Sequence, residues 1–112
     1  MDFSNVVSTL CNELDKKFGK DIVALDLSEL SPVADFFVLV TGNSAPQLNA
    51  LAETTREILT KKGLKLSHAE GVKSAQWVLL DFGDIIVHIF DSEARQYYNL
   101  ERVWRDAKVV NV

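Results

Sequence analysis

The chain has 112 residues, enough for one compact domain with a buried core, and we expect residues 1–112 to form a single domain. Hydrophobic residues make up 47% and charged residues 25%, which excludes an intrinsically disordered chain. The formal charge of −4 disfavours charge-driven, direct binding to nucleic-acid phosphates and favours a basic partner.

The first predicted elements are a helix and two strands. Residues 4–18 predict a helix that begins at Ser4 as N-cap and is closed by Gly19. Its apolar stripe consists of Val7, Leu10, Cys11, Leu14 and Phe18. Residues 22–27 and 35–41 predict strands, and the second of these should be the most buried strand because it is nearly all apolar.

A second helix is predicted over residues 44–62. Ser44 and Gln47, three residues later, fit a capping box, and Gly63 ends the helix. The turn Thr41-Gly42-Asn43-Ser44 also lies between a strand and a helix, where backbone N–H groups could hold a phosphate. Capping is the favoured interpretation, since no Walker-type Lys-Ser/Thr and no Gly-x-Gly-x-x-Gly is present.

The second half of the chain predicts more strand than helix. Residues 64–69 predict a short extended segment before a turn at Glu70-Gly71, and residues 77–90 predict a hairpin that turns at Phe82-Gly83. A last helical region follows Asp91-Ser92 and runs to about residue 107, with a break at Asn99. This order of elements implies an α/β fold with a mixed, mainly five-stranded sheet and packed helices.

The hairpin has two chemically different faces, because side chains alternate along a strand. One face is wholly apolar and belongs to a core: Val78, Leu80, Ile85, Val87 and Ile89. The other face mixes aromatic, acidic and aliphatic groups: Trp77, Leu79, Asp81, Asp84, Ile86, His88 and Phe90. Such a surface suits contact with another molecule. Trp77 itself has two interpretations, packing under the C-terminal helix or anchoring an interface.

The sequence also indicates a cellular compartment. Cys11 is the single cysteine, which excludes an internal disulfide framework and multi-cysteine zinc sites, and its place on the helix stripe predicts a buried thiol. Apolar runs are too short to span a bilayer, so no membrane partner is expected. Residues 1–5 show no secretion signal. We therefore expect a cytoplasmic protein.

Catalytic and metal-binding groups are sparse. Asp81 and Asp84, with His88 nearby, are the candidate metal or acid–base set, but aspartates are common at tight turns and no further ligand is evident. We therefore predict no metal, no cofactor and no enzymatic activity. The alternative is a nucleotide-binding or nucleotidyltransferase-type enzyme that uses Ser44 and the two aspartates.

Several blocks of sequence occur in order over about residues 21–106. They are Leu25-Asp26, Ala34-Asp35-Phe36-Phe37-Val38, Thr41-Gly42-Asn43-Ser44, Glu70-Gly71, Trp77-Val78-Leu79-Leu80-Asp81-Phe82-Gly83-Asp84, Val87-His88-Ile89-Phe90 and Arg95-Gln96-Tyr97-Tyr98-Asn99-Leu100-Glu101-Arg102-Val103-Trp104. Together they resemble the ribosomal silencing factor family, also called Iojap-like. The resemblance implies a nucleotidyltransferase-like α/β fold without that activity. In agreement, residues 45–60 contain Glu53 and Glu57 but no Asp-x-Asp or Asp-x-Glu pair.

The resemblance further implies a translational silencer. Such a protein binds ribosomal protein L-fourteen of the large ribosomal subunit and sterically prevents the subunits from joining when nutrients are scarce. An assembly factor for the large subunit is an alternative of the same binding type, and the exposed sheet face could also support a homodimer.

The family motif places the expected partner surface on the hairpin and the last helix. Its main residues are Trp77, Asp81, Tyr98 and Glu101, and the secondary candidates are Leu79, Asp84 and His88. Trp77 would be the desolvated anchor, while Asp81 and Glu101 would accept hydrogen bonds from lysine or arginine. Two questions stay open, namely whether Tyr97 or Tyr98 faces outward and whether Glu101 pairs locally with Arg105.

Overall fold

The fold was analysed in a computed structural model that describes residues 3–30, 34–71, 77–98 and 108–109. Its elements are α1 (Ser4–Lys16), β1 (Lys20–Asp26), β2 (Phe36–Thr41), α2 (Ala45–Lys61), β3 (His68–Glu70), β4 (Trp77–Asp81), β5 (Ile85–Phe90), α3 (Ser92–Tyr98) and β6 (Lys108–Val109). The strands form one mixed sheet in the order β3-β4-β5-β2-β1-β6. The predicted α/β class and the five main strands are confirmed.

Two parallel strands, β2 and β5, form the centre of the sheet. Their register runs from Phe36 opposite Ile85 to Thr41 opposite Phe90, and all other strand pairs are antiparallel. The sheet also has a sixth strand, β6, which the sequence did not predict. This strand has only two residues and pairs with Leu25 and Asp26 of β1. It is defined by that tertiary contact, and two residues are too few to form a recognisable strand pattern in the sequence.

The main core lies between the sheet and the helices α1 and α2. The apolar hairpin face predicted to be buried is fully buried there, at Val78, Leu80, Ile85, Val87 and Ile89. The prediction that residues 35–41 form the most buried strand is wrong. β5 is buried at all six positions, whereas Phe37 of β2 keeps part of its ring exposed. The difference arises because α3 follows β5 directly and Ala94 packs on Phe90 in a second cluster.

The end of α1 differs from the prediction. Phe18 does not join the apolar stripe, since it is 78% exposed and has a φ of 65°. The Gly19 N–H donates to the Leu14 carbonyl and the Phe18 N–H to the Asp15 carbonyl, which is the Schellman pattern of helix termination. Phe18 therefore occupies the left-handed position that glycine usually fills.

Gly19 is needed at this end for a different reason. A Cβ atom on Gly19 would lie 2.7 Å from Cγ2 of Val40 and 3.0 Å from the carbonyl oxygen of Leu14. The chain thus passes too close to β2 for any side chain. At the other end of α1, Phe3 rather than Ser4 is the N-cap residue, and it makes no side-chain capping bond.

The start of α2 confirms the predicted cap at Ser44, but the Gln47 side chain bonds the N–H of the preceding Asn43 and not that of Ser44 as in a standard capping box. Ser44 is the N-cap, and its hydroxyl accepts a hydrogen bond from the Gln47 N–H at 3.2 Å. The Gln47 side chain reaches back, accepting from the Asn43 N–H and donating to the Phe18 carbonyl at 2.8 Å. One side chain therefore links the beginning of α2 to the end of α1.

Two further sequence predictions can be compared with the fold. Cys11 is 2% exposed, and burial raises the pKa of its thiol to about 11, which confirms a buried, unreactive cysteine. The last helix begins at Ser92 as predicted, while its predicted continuation and the break at Asn99 lie outside the described residues. Within the described part of the chain, no helix is long and apolar enough to cross a membrane.

Two neighbouring substitutions at the end of α1 should have opposite effects on stability. Phe18→Gly should raise the free energy of unfolding by up to about 1 kcal/mol, because it relieves a left-handed conformation that a side chain disfavours. Gly19→Ala should lower it by about 1–3 kcal/mol, because the added methyl collides with Val40. Urea denaturation of the two variants and the parent measures both changes. Equal stability of all three would contradict this account of the helix end.

Candidate partner-binding surface

The mixed face of the hairpin lies on the side of the sheet opposite α1 and α2, which we call the outer face. Cross-strand pairs define it, since directly opposed residues point to the same side. On the hairpin these pairs are Trp77 with Phe90, Leu79 with His88, and Asp81 with Ile86. The predicted separation of the hairpin into two faces is thus confirmed.

The outer face is closed at its centre and open towards β4. Ile86, His88 and Phe90 on β5 are only 8%, 4% and 1% exposed. Phe90 belongs to a second apolar cluster, which comprises Leu25, Leu27, Leu39, Phe90 and Ala94. In contrast, the β4 residues Trp77, Leu79 and Asp81 are half-buried. On the hairpin, the surface that another molecule could reach is therefore formed mainly by β4.

Trp77 combines packing with partial exposure. The indole packs against the second apolar cluster, yet the residue as a whole remains partly exposed. Its ring centroid lies 5.4 Å from that of Phe90 and 5.8 Å from that of His88. Trp77 thus packs against two aromatic rings and retains exposed area for contact with a partner.

His88 lies beneath this surface. Its Nδ1 accepts a hydrogen bond from the Trp77 indole N–H at 3.2 Å, and its ring contacts Phe37 at a centroid distance of 4.8 Å. Within the described part of the chain, its Nε2 is buried without a hydrogen-bond partner. Burial lowers the pKa of His88 to about 4, because an apolar environment disfavours the charged ring. In this conformation His88 does not present a surface that a partner could touch, contrary to our interpretation of it as a direct contact.

The two aspartates of the hairpin have different environments. Asp81 Oδ1 accepts a hydrogen bond from the Gly83 N–H at 2.8 Å, and Gly83 has a φ of 85°. Asp81 therefore shapes the turn, as expected for an aspartate at that position. The Asp84 side chain is exposed, while its backbone carbonyl accepts from the N–H groups of Asp35 and Phe36. Each carboxylate adds negative charge to the rim of the outer face.

The short strand β3 extends the face beyond the hairpin. Glu70 lies opposite Leu79 and His68 opposite Asp81, so both share the side of Trp77. Glu70 was interpreted as a turn residue that pairs locally, and its Oε1 does lie 3.1 Å from Nε2 of His68. The sequence missed their proximity to β4 because a three-residue strand has almost no periodic signal.

Only part of the predicted last helix lies within the described residues. Tyr98 is the final residue of α3, but the side chains of Tyr97 and Tyr98 are outside the described part of the chain. Glu101 also lies outside the described residues, and so do the suggested Glu101–Arg105 pair and the orientation of the tyrosines. Their roles remain predictions.

The arrangement of titratable side chains bears on metal binding and catalysis. Among residues 3–30, 34–71, 77–98 and 108–109, no three His, Cys, Asp or Glu side chains gather in a group that could hold a metal ion. Asp81 and Asp84 have the turn geometry described above, and Ser44 caps α2. The groups that the hairpin presents on this surface are an indole ring and carboxylates.

Comparison with known proteins identifies the family. The family model described as "Ribosomal silencing factor during starvation" matches residues 1–112. The chain belongs to this family. Ribosomal silencing factors from Halalkalibacterium halodurans and Bacillus subtilis are each 37% identical to it over 112 residues. These alignments cover all of this chain and 96% and 95% of the two relatives.

Plant and structural relatives agree with this assignment. The chloroplast protein Iojap of Arabidopsis thaliana is 36% identical over 98 residues, which cover 88% of this chain and 40% of that protein. A crystal structure of a Chromobacterium violaceum protein matches with a TM-score of 0.87 and 33% identity, over 94% of this chain and 88% of that chain. A Bacillus halodurans structure matches with a TM-score of 0.81 and 34% identity, over 96% and 98% of the two chains. The family is named for silencing ribosomes rather than for an enzymatic reaction.

The buried His88 predicts a loss of stability in acid. Its pKa is about 4 in the folded chain and about 6.5 in the unfolded chain, so between these values only the unfolded state takes up the proton. The contribution of a neutral His88 is therefore fully present above pH 6.5 and falls as the pH drops, by about 3 kcal/mol at pH 4.

Denaturation of the parent and His88→Phe between pH 7.5 and 4 measures this loss. The parent should lose more stability than His88→Phe over this range, since phenylalanine has no proton to gain. His68→Gln is the matched control, because His68 is exposed, and it should retain the parent's acid loss. Parallel pH profiles for the parent and His88→Phe would show that His88 is not buried as described.

Proposed function

We propose that this chain is a non-enzymatic translational repressor of the cytoplasm. It binds the large ribosomal subunit through ribosomal protein L-fourteen and prevents the small subunit from joining. Membership of the ribosomal silencing factor family supports the repressor role. The choice of surface rests on one observation: Trp77 is partly exposed, and its indole packs against the buried rings of His88 and Phe90.

The chemistry of the outer face favours a basic protein as partner. Glu70 and Asp81 place carboxylates on the same face as Trp77 and Leu79, Asp84 lies at the hairpin turn, and the whole chain has a formal charge of −4. Lysine and arginine side chains of a partner would donate charge-assisted hydrogen bonds to these carboxylates. Bare ribosomal RNA would be repelled by them.

The proposed mechanism is steric and needs no chemical step. A specific protein interface requires roughly 800 Å² from each partner, which the open part of the outer face and α3 can supply together. A domain held on the joining surface of the large subunit occupies space that the small subunit needs. Repression then depends on affinity and position alone, and it is reversed when the domain dissociates.

Removal of the indole should abolish most of the binding. Trp77→Ala should weaken binding to purified large subunits by about 30-fold, because truncation of an interface anchor typically costs about 2 kcal/mol or more. Co-sedimentation measures the affinity, and gradient analysis of mixed subunits measures how many join. Circular dichroism must show that the variant is folded, since Trp77 also packs on the second apolar cluster. Parent-like binding and repression by folded Trp77→Ala would place the surface elsewhere.

A change of charge at the hairpin turn tests the electrostatic part of the proposal. Asp81→Asn keeps an oxygen that can accept from the Gly83 N–H, so the turn should persist while the charge is lost. Binding to large subunits should weaken roughly fivefold, since a partly exposed ion pair contributes about 1 kcal/mol, and the difference should shrink at high salt. Asp15→Asn is the matched control. It removes the same charge at an exposed position of α1 and should leave binding unchanged.

The same binding experiments separate the alternatives retained from the sequence. An assembly factor would prefer incomplete large subunits to mature ones in a profile of bound particles. A homodimer formed through the outer face would dissociate when large subunits are added, because both would use Trp77. Preference for mature subunits by a chain that reduces subunit joining is the outcome that we expect.

A further inference from the structure

The position of Trp77 depends on a specific contact with the neighbouring strand. Its indole N–H donates to Nδ1 of His88 at 3.2 Å, and its ring is inclined by 33° to the imidazole and by 32° to the Phe90 ring. Ring contacts are only weakly directional, so they tolerate a range of indole orientations. The hydrogen bond to His88 adds a directional restraint on the indole.

The hydrogen bond also determines the tautomer of His88. An indole N–H can only donate, so Nδ1 of His88 must act as the acceptor and carries no proton. The neutral imidazole has one N–H group, which must therefore be at Nε2. Within the described residues, this Nε2–H is buried and has no acceptor.

An unpaired buried donor makes histidine a poor choice for packing alone. His88 is 4% exposed, and its outer-face neighbours Ile86, Phe90 and Leu39 are all buried apolar residues. A phenylalanine would fill similar space between Phe37 and Phe90 without burying an unpaired N–H group. What histidine offers and phenylalanine does not is the acceptor at Nδ1.

We propose that His88 is the positioning residue of the partner-binding surface, and that its Nε2–H tautomer fixes the orientation of the Trp77 indole through Nδ1. This inference rests on the proposed function, because it assumes that Trp77 meets the partner. His88 itself lies beneath the indole and does not touch the partner. A rigid anchor lowers the ordering penalty on binding, and it comes with an Nε2–H group that has no acceptor among the described residues.

Two substitutions separate the effect of the Nδ1 acceptor on binding from the effect of the aromatic ring. His88→Phe keeps an aromatic ring but removes the acceptor, so its denaturation midpoint at pH 7.5 should equal or exceed that of the parent. Its affinity for large subunits should nevertheless fall by about tenfold if the productive indole orientation drops to roughly a tenth of the population. His88→Asn removes the ring but places an amide oxygen near the Nδ1 position, so it should bind more tightly than His88→Phe despite lower stability.

Nuclear magnetic resonance provides a readout that does not depend on the ribosome. Long-range ¹⁵N spectra of the parent should show the proton of His88 on Nε2. The Trp77 indole N–H, assigned by its absence in Trp77→Phe, should exchange slowly with solvent in the parent and in His88→Asn, and faster in His88→Phe. A proton on Nδ1, or equal exchange in the parent and His88→Phe, would overturn the positioning role.

The binding measurements distinguish failure of this inference from failure of the proposed function. If folded Trp77→Ala binds like the parent, the proposed surface is wrong whatever the state of His88. If Trp77→Ala loses binding while His88→Phe retains the parent's affinity, the surface is right and His88 does not position it. The inference is supported only when both variants lose affinity and His88→Phe remains fully folded.

Discussion

The parallel pairing of β2 with β5 is the constraint on which the rest of this structure depends. Parallel strands are usually covered on both faces, because the connections between them place other elements on the sheet. Here α1 and α2 cover one face, and α3 with the second apolar cluster covers the end of the other. The backbone also ties the two strand ends together, since the Gly42 N–H donates to the Phe90 carbonyl at 2.7 Å. What remains open is the flank of the sheet on the side of β4.

This arrangement explains why the residues of the proposed partner surface also take part in packing. Trp77 contributes to the second apolar cluster and still presents part of its surface, while His88 and Phe90 support it from a fully buried strand. An anchor built on a buried strand loses little conformational freedom on binding, because its neighbours are already ordered. The family to which the chain belongs is named for silencing ribosomes and not for an enzymatic reaction.

Much of the fold could be predicted from residue patterns, because the signals were local. Alternation along residues 77–90 identified both faces of the hairpin, and the spacing of Ser44 and Gln47 identified the start of α2. Phe18 was misassigned because its apolar side chain fits the helix period, whereas the helix ends at Lys16 and Phe18 takes the left-handed position that follows. The role of Gly19 at this helix end was predicted, but its close approach to Val40 is a tertiary contact that no local pattern encodes.

The candidate surface was less predictable than the fold. Trp77, Leu79 and Asp81 could be assigned to one face by alternation, and their expected role came from the resemblance to the family. Whether His88 on the same face would be exposed could not be read from the sequence. Its burial depends on Phe37 and Phe90, and Phe37 lies on a strand about 50 residues earlier in the chain.

The shortness of β3 has a consequence for how the open flank behaves in a crowded cell. An outermost strand exposes unpaired backbone groups that can template pairing with another chain. β3 has only three residues, and two of them, His68 and Glu70, have exposed polar side chains that pair with each other. A strand this short and polar offers few backbone groups with which a strand of another chain could pair. The domain can therefore display an indole beside its sheet edge while resisting aggregation through that edge.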